Sequence, residues 1–104
     1  MKEDLLKIIE HFGINNQQRK LEEEVFELQE IILDYEFSKN NFPKQHKICE
    51  DVFKEKIIEE ITDVMVLLEQ FKTYYGITSE EITNLFWSKV DRTLKRIETG
   101  YYEK

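Results

Sequence analysis

The sequence predicts an all-α fold, a bundle of four to five helices. Apolar residues recur at spacings of three and four along most of the chain, whereas no stretch alternates with a period of two for long enough to form a strand. The length of 104 residues suits a single domain that spans 1–104. A chain of this size buries roughly two-thirds of its unfolded surface, which is enough for a core without disulfides.

The first two helices follow from their apolar positions. Leu5 to Phe12 form a short first helix that stops at Gly13, a residue suited to the left-handed conformation that follows many helix ends. Asn15 or Asn16 can cap the second helix, whose apolar seam extends over 21–35. We therefore expect one short and one long helix in the first part of the chain.

A polar stretch with the only proline, 38–43, predicts the main loop. The third helix is expected to begin near Ile48, with a break before Lys54, and to end at Gly76. A fourth helix begins at 78–81, whose Thr-Ser-Glu-Glu order is typical of a capping box, and it extends to Gly100. The tail, 101–104, is expected to be frayed or docked on a partner.

Charge and hydropathy exclude several classes of function. The formal net charge of −7 argues against a partner made of duplex nucleic acid, because that binding depends on a cationic surface. The longest aliphatic stretch, Val64 to Leu68, is far shorter than a membrane span. The acidic start of the chain is unlike a signal peptide, and the single cysteine, Cys49, cannot form an intrachain disulfide. A cytoplasmic protein without a membrane partner is expected.

A weak internal repeat joins the second and third helices. Shifting the sequence by 36 residues lays 20–28 over 56–64, so that both helices carry the same apolar seam and the same acids in the same register. The repeated acids are two pairs spaced by three residues, and each pair borders its seam. They are Glu24 with Glu27, and Glu60 with Asp63.

These four carboxylates predict a site for a divalent cation. None has a lysine four positions downstream, and Lys20 and Lys56 precede Glu24 and Glu60 in the poorer orientation for an ion pair. If the two flanks face each other, two carboxylates about 4 Å apart repel by about 4 kcal/mol at an effective dielectric constant of about 20. Oxygen ligands select hard cations, so Mg²⁺ or Mn²⁺ is expected. The alternative is a solvated acidic face.

Residues 17–28 and 59–64 together resemble the MazG-like all-α nucleoside triphosphate pyrophosphohydrolases, whose signature is Glu-Glu-x-x-Glu followed by Glu-x-x-Asp. The resemblance covers roughly Phe12 to Gly100. It implies a Mg²⁺-dependent cleavage of a nucleoside triphosphate into the monophosphate and pyrophosphate, with Mn²⁺ as a substitute metal. It also implies a helical bundle completed by oligomerisation, as a homodimer or homotetramer.

The resemblance also implies residue roles. The metal ligands are Glu24, Glu27, Glu60 and Asp63. The candidates for orienting or deprotonating the attacking water are Glu23 and Glu59, with a plain surface glutamate as the alternative for Glu23. Three cations on one stripe of the last helix would hold the triphosphate: Lys89, Arg92 and Arg96. Their alternative role is to complement the dipole at a helix C-terminus. Residues that could line a base pocket are Phe12, Gln17, Gln18, Tyr74, Tyr75 and Trp87, with core packing as the alternative for the aromatic ones.

Two departures from the family pattern stand out. Thr93 follows Arg92 where many relatives have asparagine, and the connection that contains Pro43 and His46 is longer than in compact relatives, so a lid or added short helix is expected there.

Two other functions stay open. One is phosphoribosyl-ATP pyrophosphohydrolase, and the other is a non-enzymatic helical interaction module. A di-iron centre is disfavoured because neither histidine follows a glutamate by three residues.

Overall fold

Four α-helices account for most of the chain in a computed structural model that describes residues 1–100. Within that range there is no strand, so the all-α prediction is confirmed. The tail at 101–104, which was expected to be frayed or docked, lies outside the described residues. The helices are α1 (Lys2–Phe12), α2 (Ile14–Asn41), α3 (Pro43–Tyr74) and α4 (Ser79–Glu98).

The end of α1 follows the prediction, whereas the start of α2 does not. Gly13 has a φ of 86°, and its N–H donates to the Ile9 carbonyl over 2.8 Å, which closes α1. Because α2 begins directly at Ile14, the predicted capping by Asn15 or Asn16 is wrong. The Asn16 side chain instead donates to the Phe12 carbonyl over 2.7 Å, where it satisfies an acceptor at the end of α1.

The predicted loop at 38–43 is also wrong, because Phe42 alone separates α2 from α3. Asn41 stays helical and donates its side-chain amide to the Phe37 carbonyl over 2.9 Å. Pro43 occupies the first turn of α3, where a missing N–H costs nothing. The helix then continues through Lys54, so the predicted break and the lid or added helix are absent from this connection.

The helices α2 and α3 pack along their lengths as an antiparallel hairpin, and α1 packs against both. Gln17 pairs with Gln70 near the open end, and Tyr35 donates to Glu50 near the closed end. This register brings the middle of α2 against the middle of α3. The two halves of the sequence repeat therefore face each other across one groove.

Few apolar side chains are fully buried within the described chain. Ile9 of α1 and Leu67 of α3 are 1% and 4% exposed and form the centre of the packed unit. Four polar residues are equally enclosed: Gln17, Glu24, His46 and Gln70. Because such burial needs compensating partners, these enclosed polar side chains are candidates for functional residues.

The fourth helix begins as predicted, and Lys72 of α3 donates to its first residue, Ser79, over 3.1 Å, but it does not pack along the other helices. Thr78 Oγ1 accepts from the Glu81 N–H over 3.2 Å, and the Thr78 N–H donates to Glu81 Oε2 over 2.9 Å, which forms the capping box. No Cα atom of α4 lies within 8 Å of α1, α2 or α3. The radius of gyration is 17.8 Å, compared with about 13 Å for a compact domain of this length.

The α4 stripe is an apolar face that the described chain leaves uncovered. Its members are Ile82, Phe86, Val90, Leu94 and Ile97, of which all but Val90 are more than 40% exposed. Uncovered apolar faces of this kind mark sites of association. None of the helices described is both long enough and apolar enough to cross a membrane.

Candidate metal centre

Three of the four predicted ligands converge in the groove between α2 and α3. One carboxylate oxygen each from Glu24, Glu60 and Asp63 lies within 4.8 Å of the other two. The convergence arises because an i, i+3 pair lies on one flank of each helix, and the antiparallel hairpin turns these flanks towards each other. A cation among these oxygens would have ligands from both helices.

Two oxygens in this cluster lack partners. Glu24 is only 5% exposed, and its Oε2 atom is shielded from solvent without a hydrogen bond from any residue of 1–100. Glu60 Oε2 is in the same condition. A buried carboxylate oxygen without a donor destabilises the fold unless a positive charge compensates it. The residues present therefore fit a hard cation, which takes oxygen ligands.

Lys20 supplies part of the compensation. Its Nζ atom lies 3.0 Å from Glu24 Oε1, although the sequence orientation disfavours this pair. The hydrogen bond from Lys20 holds the pKa of Glu24 below its usual value, against the opposing effect of burial. Lys56, the repeat counterpart of Lys20, forms no such pair with Glu60 within the described residues. Within the described residues, Glu24 is therefore paired with a lysine and Glu60 is not.

The pKa values of two further carboxyls are raised by the same crowding. Burial raises the pKa of Glu60, and the charges of Glu27 and Glu24 raise it further. The charge of Glu24 raises the pKa of Glu27, with a smaller contribution from burial. Glu27 is outside the triad and exposed, but it is near enough to feel these charges. A cation would relieve the repulsion among all of them.

These pKa shifts predict pH-dependent metal binding. Mn²⁺ at a hundred times its dissociation constant should stabilise the protein by about 2.7 kcal/mol, which is roughly 10 °C or more in the unfolding temperature of a domain this small. The stabilisation should shrink as the pH falls from 7.5 towards the ordinary glutamate pKa of about 4.3, because Glu27 and Glu60 take up protons first. Thermal unfolding with Mn²⁺ and with EDTA at each pH measures this difference.

Without metal, the contribution of Glu27 and Glu60 to the stability of the protein should change with pH in the opposite direction, rising as the pH falls. Glu27 and Glu60 bind protons more tightly in the folded than in the unfolded chain, so their contribution to stability rises as the pH falls through their raised pKa values. The pKa of Glu24 is lowered, so its contribution is lost only at more acidic pH. A Mn²⁺ effect that stays equal from pH 7.5 down to the ordinary glutamate pKa of about 4.3 would contradict the site.

The other predicted residues are placed differently. Glu23 and Glu59 are both exposed, and of the two Glu23 borders a cavity beside the cluster, whereas Glu59 does not line it. Three basic residues lie on α4, which is not packed against the hairpin, so a single chain does not bring them to the carboxylates. They are Lys89, Arg92 and Arg96. The catalytic and phosphate-binding roles stay predictions.

The cavity beside the cluster has a volume of about 740 Å³ and an open mouth. Glu24 and Asp63 lie at one end, Gln17 and Gln70 line it further along, and Phe12 contributes an aromatic wall. The size is within the range of pockets for small molecules. The sequence indicated Gln17 as a pocket residue but missed Gln70, because only the register of the hairpin pairs them.

No family model, no curated protein and no solved structure matches this chain. A functional conclusion therefore depends on the residues themselves and on their arrangement. The strongest such arrangement is the carboxylate cluster, two of whose members, Glu24 and Asp63, line the end of a cavity, and whose Glu24 and Glu60 each have a buried oxygen without a partner among residues 1–100.

Proposed function

We propose that this chain is a cytoplasmic, MazG-like nucleoside triphosphate pyrophosphohydrolase that depends on Mg²⁺. The reaction adds water across the bond between the α- and β-phosphates and releases a nucleoside monophosphate and pyrophosphate. One observation carries the proposal. Buried carboxylate oxygens of Glu24 and Glu60 lack hydrogen-bond partners among residues 1–100, and Glu24 lines the end of a cavity large enough for a nucleotide.

The donor set suits the metal that this reaction requires. Glu24, Glu60 and Asp63 would hold the cation, and Glu27 would complete the set after a change of side-chain rotamer. Mg²⁺ commonly combines a few carboxylates with waters and substrate phosphates, so an incomplete protein shell is appropriate. When bound, it neutralises charge on the phosphate oxygens and promotes attack by water. Mn²⁺ should substitute.

Two glutamates are the candidates for orienting or deprotonating the attacking water. Glu23 lies beside Glu24 and borders the cavity, so it can orient or deprotonate a water near the scissile bond. Glu59 would assist from α3, although the described chain leaves it exposed. Lys20 holds Glu24 and lines the cavity, so it is also available to bind a phosphate oxygen once a cation takes its place.

The proposed enzyme works as a homodimer or homotetramer. The α4 stripe is exposed in the single chain, and a second copy of this chain could pack against it with its acidic α2–α3 hairpin and its own apolar residues. Lys89 and Arg96 lie beside the stripe on one side of α4, and Arg92 lies further round the helix on that same side. A copy that covers the stripe would bring these cations towards acidic surface, where they would bind the triphosphate.

A non-enzymatic interaction module is the second candidate, and the uncovered α4 stripe is the observation that favours it. In that case the acids would form a solvated face, and Mg²⁺ would not change stability. The module also provides no reason for partnerless carboxylate oxygens beside a cavity. The pyrophosphohydrolase accounts for both features.

Chromatography of reaction products tests the proposal. The purified protein is incubated with each ribonucleoside and deoxyribonucleoside triphosphate, with Mg²⁺ and separately with EDTA. Monophosphate and pyrophosphate that form only with Mg²⁺ would support the proposal. No turnover of any of these substrates would refute it, and phosphoribosyl-ATP would then be tested as the substrate in the same assay.

A further inference from the structure

The cavity contains a polar pair that metal binding does not explain. Gln17 Nε2 donates to Gln70 Oε1 over 2.7 Å, and the two residues are 7% and 2% exposed. One comes from α2 and the other from α3, so the pair ties the two walls of the groove together. Both side chains line the cavity beside the carboxylates.

The pair leaves one acceptor and one donor group unused. Gln17 Oε1 and Gln70 Nε2 make no hydrogen bond to any residue in 1–100, and neither atom is sealed from solvent. The pattern does not depend on how the amides are oriented. If both were turned over, they would still bond to each other and would still leave one oxygen and one NH₂ group.

The distance from the pair to the metal ligands suits a nucleoside. Gln17 precedes Glu24 by seven residues, and Gln70 follows Asp63 by seven. Seven residues are two helical turns, or about 10 Å along the groove. This separation is comparable to the length of a nucleoside from its pairing edge to its 5′ oxygen, so one ligand can contact both ends of the cavity.

We infer that Gln17 and Gln70 together recognise the pairing edge of the substrate nucleobase, an inference that rests on the proposed function. Every nucleobase presents a neighbouring donor and acceptor on that edge, and proteins recognise unpaired bases by such contacts together with stacking. Phe12, on the cavity wall, offers the apolar ring surface. The triphosphate then extends towards Glu24 and Asp63.

A double variant, Gln17→Leu with Gln70→Leu, tests the inference. Removing both amides leaves no unpaired partner, and leucine keeps much of the volume. We expect kcat/KM for every nucleoside triphosphate that the wild type hydrolyses to fall at least about tenfold, mainly through KM. Hydrolysis of ribose 5′-triphosphate, which has no base, should be unchanged. Gln29→Leu, at an exposed glutamine of α2 that does not line this cavity, is the matched control.

Gln70→Glu is a second variant that retains the inter-helix hydrogen bond. It keeps the acceptor for Gln17 and replaces the free donor group with an oxygen, so the preference among bases should change. If the double variant does not fold, the base preference of Gln70→Glu tests the inference by itself.

The outcomes separate the inference from the proposed function. An unchanged kcat/KM for nucleoside triphosphates in the double variant, an unchanged base preference in Gln70→Glu, or an equal fall for nucleotides and ribose 5′-triphosphate would overturn the inference and leave a structural role for the pair. If the wild type hydrolyses neither kind of triphosphate, the proposed function fails and the inference fails with it.

Discussion

Glu24→Gln should abolish Mg²⁺-dependent turnover, with a decrease of at least about a hundredfold. The substitution replaces the most buried ligand, whose Oε2 atom has no donor in the described chain, with an amide that binds cations weakly. The helices should persist, because the amide is nearly isosteric and removes a buried charge. Steady-state hydrolysis and thermal unfolding with Mn²⁺ measure the two effects. Asp63→Asn should behave in the same way.

Two controls accompany these variants. Glu22→Gln makes the same change two residues earlier on α2, which turns it to the exposed side of the helix. Glu3→Gln removes an exposed acid of α1. Neither should affect turnover or Mn²⁺ stabilisation. Full activity in both Glu24→Gln and Asp63→Asn would refute the assignment of the site.

Phe86→Asp should convert the oligomer to a monomer. Phe86 is in the middle of the α4 stripe and is 54% exposed in the single chain, so the proposed assembly buries it against a second copy. A carboxylate there loses an aromatic contact and buries a charge, which should weaken association roughly a hundredfold. Light scattering coupled to size-exclusion chromatography measures the mass against the 12.7 kDa chain.

Asn84→Asp is the matched control for this prediction. It adds the same charge to α4 two residues earlier, on the opposite side of the helix. Its mass should equal that of the wild type. A wild-type protein that is monomeric at all concentrations, or a Phe86→Asp variant with the wild-type mass, would contradict the proposed assembly.

Local signals in the sequence predicted much of the helical structure. Gly13 and the capping box at Thr78 act within one or two turns, so their effect is visible in the sequence. The loop at 38–43 was mispredicted because polar residues and a proline are typical of loops. Here the Asn41 side chain donates to a helix carbonyl. Pro43 lies in the first turn of α3, where a backbone N–H would have no intrahelical acceptor, so its missing N–H does no harm.

The candidate site was predictable to the extent that helical periodicity determines it. The spacing of Glu24 and Glu60 from their partner acids placed each pair on one flank, and the hairpin brings these flanks together. The pairing of Gln17 with Gln70 depends on the register between helices, which no single segment specifies. The position of Arg92 relative to the carboxylates depends on how α4 packs, and one chain does not determine that.

The most direct test is an anomalous difference map from crystals grown with Mn²⁺ and a nucleoside triphosphate analogue that has a non-hydrolysable α,β bridge. We expect a peak among Glu24, Glu60 and Asp63, with oxygen distances of about 2.1 Å, and phosphate oxygens of the analogue on the same ion. A map without a peak between α2 and α3, or with peaks only on exposed acids, would contradict the metal site and the function proposed from it.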